Sequence, residues 1–274
     1  MRLPLAKAVT VLKLLSEGCS VRATVRLSGV AKDTVLALLN VVGQKLTRLM
    51  MTKFNNLPVN DVQVDEIWGF VGMKERTRVK NKIDDLGVGD AYCYVAIERD
   101  TKVILAWHLG KRDTNDTRLF IQQVSQNTAG RFQLSSDGWQ AYPRAVDMFL
   151  DGKVDYGILV KHYRQEKGEL GRYSPPKVIG TEHYCCKGTP DINRLCTSHV
   201  ERSNLTIRMQ TRRMTRLTNA FSKKWENHGA ALAIHFAVYN FCRKHGTLKM
   251  TPAMAAGLTN HVWSIDELLQ ESTQ

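Results

Sequence analysis

A mixed α/β fold, with a central sheet covered by helices and a small all-α domain in front of it, is predicted for this 274-residue chain. Three observations predict it. Residues 1–50 carry only helix-period apolar patterns. From residue 61 the pattern changes to β-rich runs, ordered as three strands, a helix, a strand, a helix and a strand. From about residue 197 to 245 the chain reads as helix again.

The elements follow in order. "AKAVTVLKLLSEG" is periodic and stops at Gly18. "SVRATVRLSG" opens on a capping residue, Ser20, and stops at Gly29. "AKDTVLALLNVVGQKLTRLM" follows after a very short turn. Helix, glycine turn and longer helix is the helix-turn-helix pattern, which would place Lys32, Asp33 and Thr34 near the start of a recognition helix. Residues 51–60 are polar and contain Asn-Asn and a proline, so they read as a linker. "DVQVDEIWGFVG" is a strand and the charged stretch after it an exposed loop. "AYCYVAIER" and "KVILAWHLG" form a hairpin around Asp100 and Thr101. "DTNDTRLFIQQVSQNT" is an amphipathic helix capped at Asp113 or Thr114. "RFQLSSDGW" is a strand, "AYPRAVDMFL" a short helix and "YGILVKHY" a further strand. Residues 164–195 read as an irregular insertion, and 259–274 as a tail.

Charge and composition narrow the function. The net charge of +13 favours an acidic polymer as partner, with DNA or RNA first. No apolar run reaches the ~18 residues that a membrane span needs. The first residues interleave charges and offer no small-residue cleavage site, so no signal peptide is expected. Six cysteines fit no disulfide framework and imply a reducing cytoplasm. "HYCCKGTPDINRLCTSH" clusters cysteine and histidine, but without a C-x-x-C pair reduced thiols are the better reading than zinc.

Three acids stand out by placement. Asp65 lies in the otherwise apolar "VQVDEIW", where alternation sends Glu66 to the opposite face, so only one of the two should look into a given site. Asp137 ends the strand "RFQLSSDGW". Glu201 is the single carboxylate of "SHVERSNLTIRMQTRRMTRL", a segment with five arginines. Buried carboxylates that converge repel one another, and a divalent cation removes that cost. Oxygen-only ligands suit Mg2+ or Mn2+, and two such ions about 4 Å apart stabilise both oxygens of a phosphoryl transfer. On a helix, Glu201, Asn204, Arg208 and Arg212 share one face, while Val200, Ile207 and Met214 repeat on another. The acid would serve a cation and the arginines neighbouring phosphates. The same residues also suit an arginine-paired Asp65, a turn-capping Asp137 and a solvated Glu201.

"VDEIW", "SSDGWQAY" and "SHVERSNLTIR" resemble the Asp-Asp-Glu segments of DDE transposases of bacterial insertion sequences, in particular the insertion sequence one family. The resemblance runs on through "TRLTNAFSKKWENHGAALAIHFAVYNFCRKHGTLKMTPAMAAGL" and covers "RLPLAKAVTVLKLLSEGCS" near the start. It implies a ribonuclease H-like catalytic domain over 61–258, with a mixed sheet flanked by helices, behind a helix-turn-helix domain that binds terminal inverted repeats. It implies Asp65, Asp137 and Glu201 as catalytic ligands of two Mg2+ or Mn2+ ions, and DNA contacts from Lys32, Thr34, Asn204, Arg208 and Arg212. It further implies cleavage and strand transfer, a homodimer or higher oligomer on DNA, and a place on the bacterial nucleoid. Unlike many such relatives, the chain does not open on a cysteine-pair zinc finger. Two other functions use the same features: a nuclease or resolvase that cuts without joining, and a DNA-binding regulator that no longer cuts.

Overall fold

The computed structural model describes residues 3–164 and 177–273. Three helices come first: α1 (Leu5–Ser16), α2 (Val21–Ser28) and α3 (Lys32–Lys53). The Ser20 hydroxyl caps α2 by accepting from the Ala23 N–H at 3.1 Å. Gly29 ends α2 at φ 68°, a left-handed conformation that a side chain would strain. Lys32, Asp33 and Thr34 are exposed on the first turn of α3.

The central sheet follows. After the two-residue β1 (Leu57–Pro58) come β2 (Asp61–Val71), α4 (Glu75–Lys80), β3 (Gly89–Glu98) and β4 (Ile104–Gly110). Then come α5 (Thr114–Asn127), the short β5 (Thr128–Ala129), β6 (Phe132–Ser136), α6 (Tyr142–Phe149), β7 (Val154–Arg164) and β8 (Lys177–Lys187). Six strands pair in the order β4-β3-β2-β6-β7-β8. β4, β3 and β2 are antiparallel neighbours, β2, β6 and β7 are parallel, and β8 returns antiparallel to β7. The chain closes with α7 (Ser198–Gln210), α8 (Trp225–Ala237), α9 (Pro252–Ala255) and α10 (Ile265–Glu271). The molecule is thus a mixed α/β fold whose six-stranded sheet is flanked by helices. No helix among the described residues is long and apolar enough to cross a membrane.

Four expectations meet a different structure. The linker expected at 51–60 begins as helix, because α3 runs on to Lys53, and Leu57 and Pro58 then pair with Thr128 and Ala129. The charged loop after β2 contains α4, whose Glu75 and Arg78 pair across one turn. Much of the expected insertion at 164–195 is strand: β8 pairs with β7 from Lys187 to Lys177, while residues 165–176 lie outside the described residues. β8 is exposed on both faces, so no buried alternation marks it. The helical stretch from 197 to 245 is broken, since α7 stops at Gln210 and α8 starts at Trp225. Thr211 turns extended at ψ 98°, with no glycine or proline to announce the break.

One apolar core joins the leading helices to the sheet. Leu39, Val42, Leu46 and Leu49 of α3 belong to the same buried cluster as Val62 and Val64 of β2 and Leu232 and Phe236 of α8. A small separate cluster, Val11, Val30 and Val35, holds the three leading helices to one another. α3 and α8 come close together at Gly43, where an added Cβ would lie 2.5 Å from the Cα and Cβ of Ala230 on α8.

Candidate metal centre

The acids meet where the sheet opens. β2 pairs with β6 only as far as Gln63 opposite Ser135, and β6 ends one residue later. Beyond that point β2 has an open edge, and Asp137 follows directly on the end of β6. Such a mouth, at the carboxyl ends of parallel strands, is where α/β sheets bind ligands. One carboxylate oxygen each of Asp65, Glu66 and Asp137 lies within 4.8 Å of the others, a set able to hold a metal ion.

Glu66 was expected to face away, and this is corrected. Alternation does separate the partners: Asp65 reaches α7, and Glu66 reaches α6. The Asn204 Nδ2 donates to Asp65 Oδ2 at 2.8 Å, and the Tyr142 hydroxyl donates to Glu66 Oε2 at 2.8 Å. Yet with β6 ended, no strand divides the two faces along that edge of β2, and both carboxylates reach Asp137. The Asp65 Oδ1 also accepts the Glu66 N–H at 2.8 Å, which turns the shorter acid along the strand.

Arg112, between β4 and α5, closes the cluster. Its Nε donates to Glu66 Oε1 at 2.6 Å, and its Nη2 lies 3.7 Å from Asp137 Oδ2. The guanidinium stacks on the Trp139 ring, 4.3 Å from the centroid. The Trp139 N–H in turn donates to Asp137 Oδ1 at 3.0 Å. Glu66 has both oxygens satisfied by protein donors, so it is better placed to hold Arg112 than to bind an ion.

Glu201 stands at the rim of the same mouth. It pairs with Lys161 of β7, accepts from the Thr197 hydroxyl at 2.6 Å, and lies outside the group of three. Its charge still reaches Asp65. Burial first, then the charges of Glu66, Asp137 and Glu201, push the Asp65 carboxyl up to about 7 against the hydrogen bond from the Glu66 N–H. Burial also raises Glu66, with Asp137 adding to it, while Arg112 and Tyr142 pull it down. A cluster this short of compensating charge fits a hard cation with oxygen ligands.

The five residues expected on DNA divide. Asn204 serves Asp65. Arg208 is not free to reach phosphate: its Nη1 and Nη2 donate to the carbonyls of Met214 and Trp68, each at 3.0 Å. Burial, with Arg216 nearby, lowers its pKa to about 10. Arg212 lies beyond the end of α7, so the helical-face argument does not hold for it. It is exposed, and with Lys32 it lines a cleft of about 760 Å3 between the leading helices and residues 210–235. Thr34 is exposed two residues further along α3. Val200, Ile207 and Met214 are buried.

Sequence reasoning missed Arg112, Trp139, Tyr142 and Lys161. Trp139 carried a signal, two residues after an isolated strand-end acid. Arg112 carried none, being one of two adjacent basic residues in "GKRDTND". No protein-family description matches the chain, and no curated protein matches it significantly.

Proposed function

We propose that the chain is a DDE-type transposase with a ribonuclease H-like core, cutting DNA at transposon ends and joining those ends to target DNA. One observation carries the reading: Asp65 and Asp137 converge at the mouth of the parallel strands, with the Glu201 face of α7 set against Asp65. The six-stranded mixed sheet is compatible with such a core. The basic excess suits a DNA substrate.

Asp65 and Asp137 would hold the divalent ions, with Glu201 joining them on release from Lys161. Mg2+ or Mn2+ bound there neutralises charge at the scissile phosphate and favours an ionised oxygen nucleophile. In the first step water attacks the phosphorus, the P–O3′ bond breaks, and the departing oxygen takes a proton to become a 3′-hydroxyl. In the second step that hydroxyl attacks a target phosphodiester in line, loses its proton, and displaces the target's own 3′-oxygen. Asn204 orients Asp65, the Trp139 N–H orients Asp137, and Glu66 holds Arg112 beside Asp137. Lys32, Thr34 and Arg212 supply contacts to the duplex outside the mouth.

The test uses purified full-length protein, a labelled duplex carrying the ends of its own element, and Mg2+ or Mn2+. Strand cleavage followed by joining is expected, with both lost in Asp65→Asn and Asp137→Asn while duplex binding persists. Cutting without joining would make it a nuclease. Binding without cutting in either metal would make it a DNA-binding regulator.

A further inference from the structure

The back of α7 faces a second cleft, which the proposed chemistry does not use. Glu201 and Asn204 look toward Asp65. His199, Arg202, Ser203 and Thr206 lie on the opposite side of the helix and line a cleft of about 510 Å3. Its other wall is the segment Arg243–Thr247, from the "NFCRKHGTL" stretch to which no chemistry has been assigned. Lys102, at the β3–β4 turn, forms the floor with Tyr239.

The lining is one-sided in charge. Lys102, His199, Arg202, Arg243, Lys244 and His245 all border the cleft, and no carboxylate does. Arg243 is partly neutralised from behind, where Nη2 meets Glu17 Oε1 at 2.6 Å. Lys102 Nζ lies 3.3 Å from His199 Nδ1 and also donates to the Arg99 carbonyl, so its own partners bring no negative charge. Burial lowers its pKa, and the charges of Asp100 and Glu98, which lie outside the cleft lining, offset only part of that cost. Arg202 and Lys244 are exposed at the mouth with no carboxylate partner among the described residues.

A second observation points independently to a ligand. Ser203 is only 5% exposed, lines the cleft, and its hydroxyl has no hydrogen-bond partner. A buried hydroxyl left unpaired costs the fold stability. Native folds keep such a group where something supplies the missing bond.

We infer that this cleft is an anion site that takes a phosphate group, with Ser203 donating a hydrogen bond at its base and Arg202 and Lys244 closing on it at the mouth. Arginine's planar fork suits phosphate oxygens, and lysine adds a mobile charge. The phosphate belongs either to a nucleic-acid backbone crossing behind α7 or to a small free phosphate compound. The site is distinct from the acid cluster, on the other face of the same helix.

The experiment uses the full chain in EDTA, so strand cleavage is not the readout and its failure would leave the result standing. Two probes are titrated: inorganic pyrophosphate, with chloride of equal ionic strength as control, and a random-sequence DNA duplex over a range of salt. Pyrophosphate should raise the melting temperature of the natural protein, and its affinity should fall about tenfold in Arg202→Ala and Lys244→Ala. Ser203→Ala should lose affinity several-fold without losing stability, because it removes the orphan hydroxyl along with the donor. A merely structural Ser203 would show the reverse. If DNA is the source, each cation variant should flatten the salt dependence of duplex binding by about one counter-ion. If only pyrophosphate binding falls, the ligand is a small phosphate compound. The inference is overturned if Arg202→Ala and Lys244→Ala bind both probes as Lys153→Ala does, a control that removes one exposed charge elsewhere.

Discussion

Replacing Asp65 with asparagine should make the protein more stable when no metal is present, and blind to metal. The Asp65 carboxyl ionises near pH 7 in the fold, against 3.8 for an ordinary aspartate. An acid raised in this way weighs against folding wherever both states are ionised, above about pH 7, and the cost disappears as pH falls toward 3.8. The gap between the two values corresponds to about 4 kcal/mol at pH 8. Glu66, also raised by burial, takes up part of that cost, so a gain of about 2–4 kcal/mol is expected, or about 5–15 °C in melting temperature. The amide fits without adding an orphan. Asn204 Oδ1 is buried without a partner, and turning the Asn204 amide over lets it accept from the new side chain. Thermal melts at pH 8 in EDTA and in Mg2+ test the reasoning. The natural protein should gain from Mg2+ and the variant should not. Equal melting temperatures in EDTA, or an equal gain from Mg2+ in both proteins, would refute it.

Four further outcomes follow from the same contacts. Glu66→Gln breaks the ion pair that holds Arg112, so strand cleavage should fall about tenfold while magnesium stabilisation survives, read from cleavage rates beside melts. Arg208→Ala removes two bonds to buried carbonyls and should destabilise the fold by about 2–3 kcal/mol in urea titration, and Arg208→Lys should restore only part of that. His235 and His228 are buried neutral, their pKa values lowered by burial to about 3 and about 4. The unfolded chain takes up those protons below about pH 6.5 and the fold does not, so stability falls on acidification; His235→Gln should reduce that loss by about 1.4 kcal/mol per pH unit between about pH 6 and pH 4. Gly43→Ala drives a methyl into the backbone of Ala230 and should cost about 1–3 kcal/mol, measured as a shift in the denaturation midpoint.

Period and punctuation made much of the fold legible. The β3–β4 hairpin turns at Asp100 and Thr101 as its sequence implies, and the Asp113 side chain caps α5 by accepting the Asp116 N–H at 2.8 Å. Gly29 ends α2 because only its missing side chain makes that turn cheap. What stayed illegible depends on neighbours. Alternation gives the face from which Glu66 leaves the strand, but not that β6 stops beside it. Helical spacing puts Arg208 in line with Glu201, but not that the chain turns back at Thr211 and offers the Met214 carbonyl to the guanidinium. β8 buries neither face, so burial left no pattern in its sequence. Asp65 within β2 and Asp137 just past β6 were readable because an apolar strand rarely carries a charge without a use for it. Glu66 and Arg112 were not, since pairing across a cleft has no spacing rule.

α3 is both the exposed first turn at Lys32 and the buried spine that lies on α8. Its 22 residues span about 33 Å without a joint. A tethered reader could slide along a duplex independently of the sheet. A reader carried on a rod fixed to α8 at Gly43 would hold one distance and one azimuth from the acids. Under the proposed function the helix would act as a gauge, setting how many base pairs separate the recognised sequence from the cut. Adding one residue before Gly43 would turn that first turn by about 100° and advance it about 1.5 Å. The spacing between recognised sequence and cleavage point would therefore be a property of helix length, and would change in steps rather than drift.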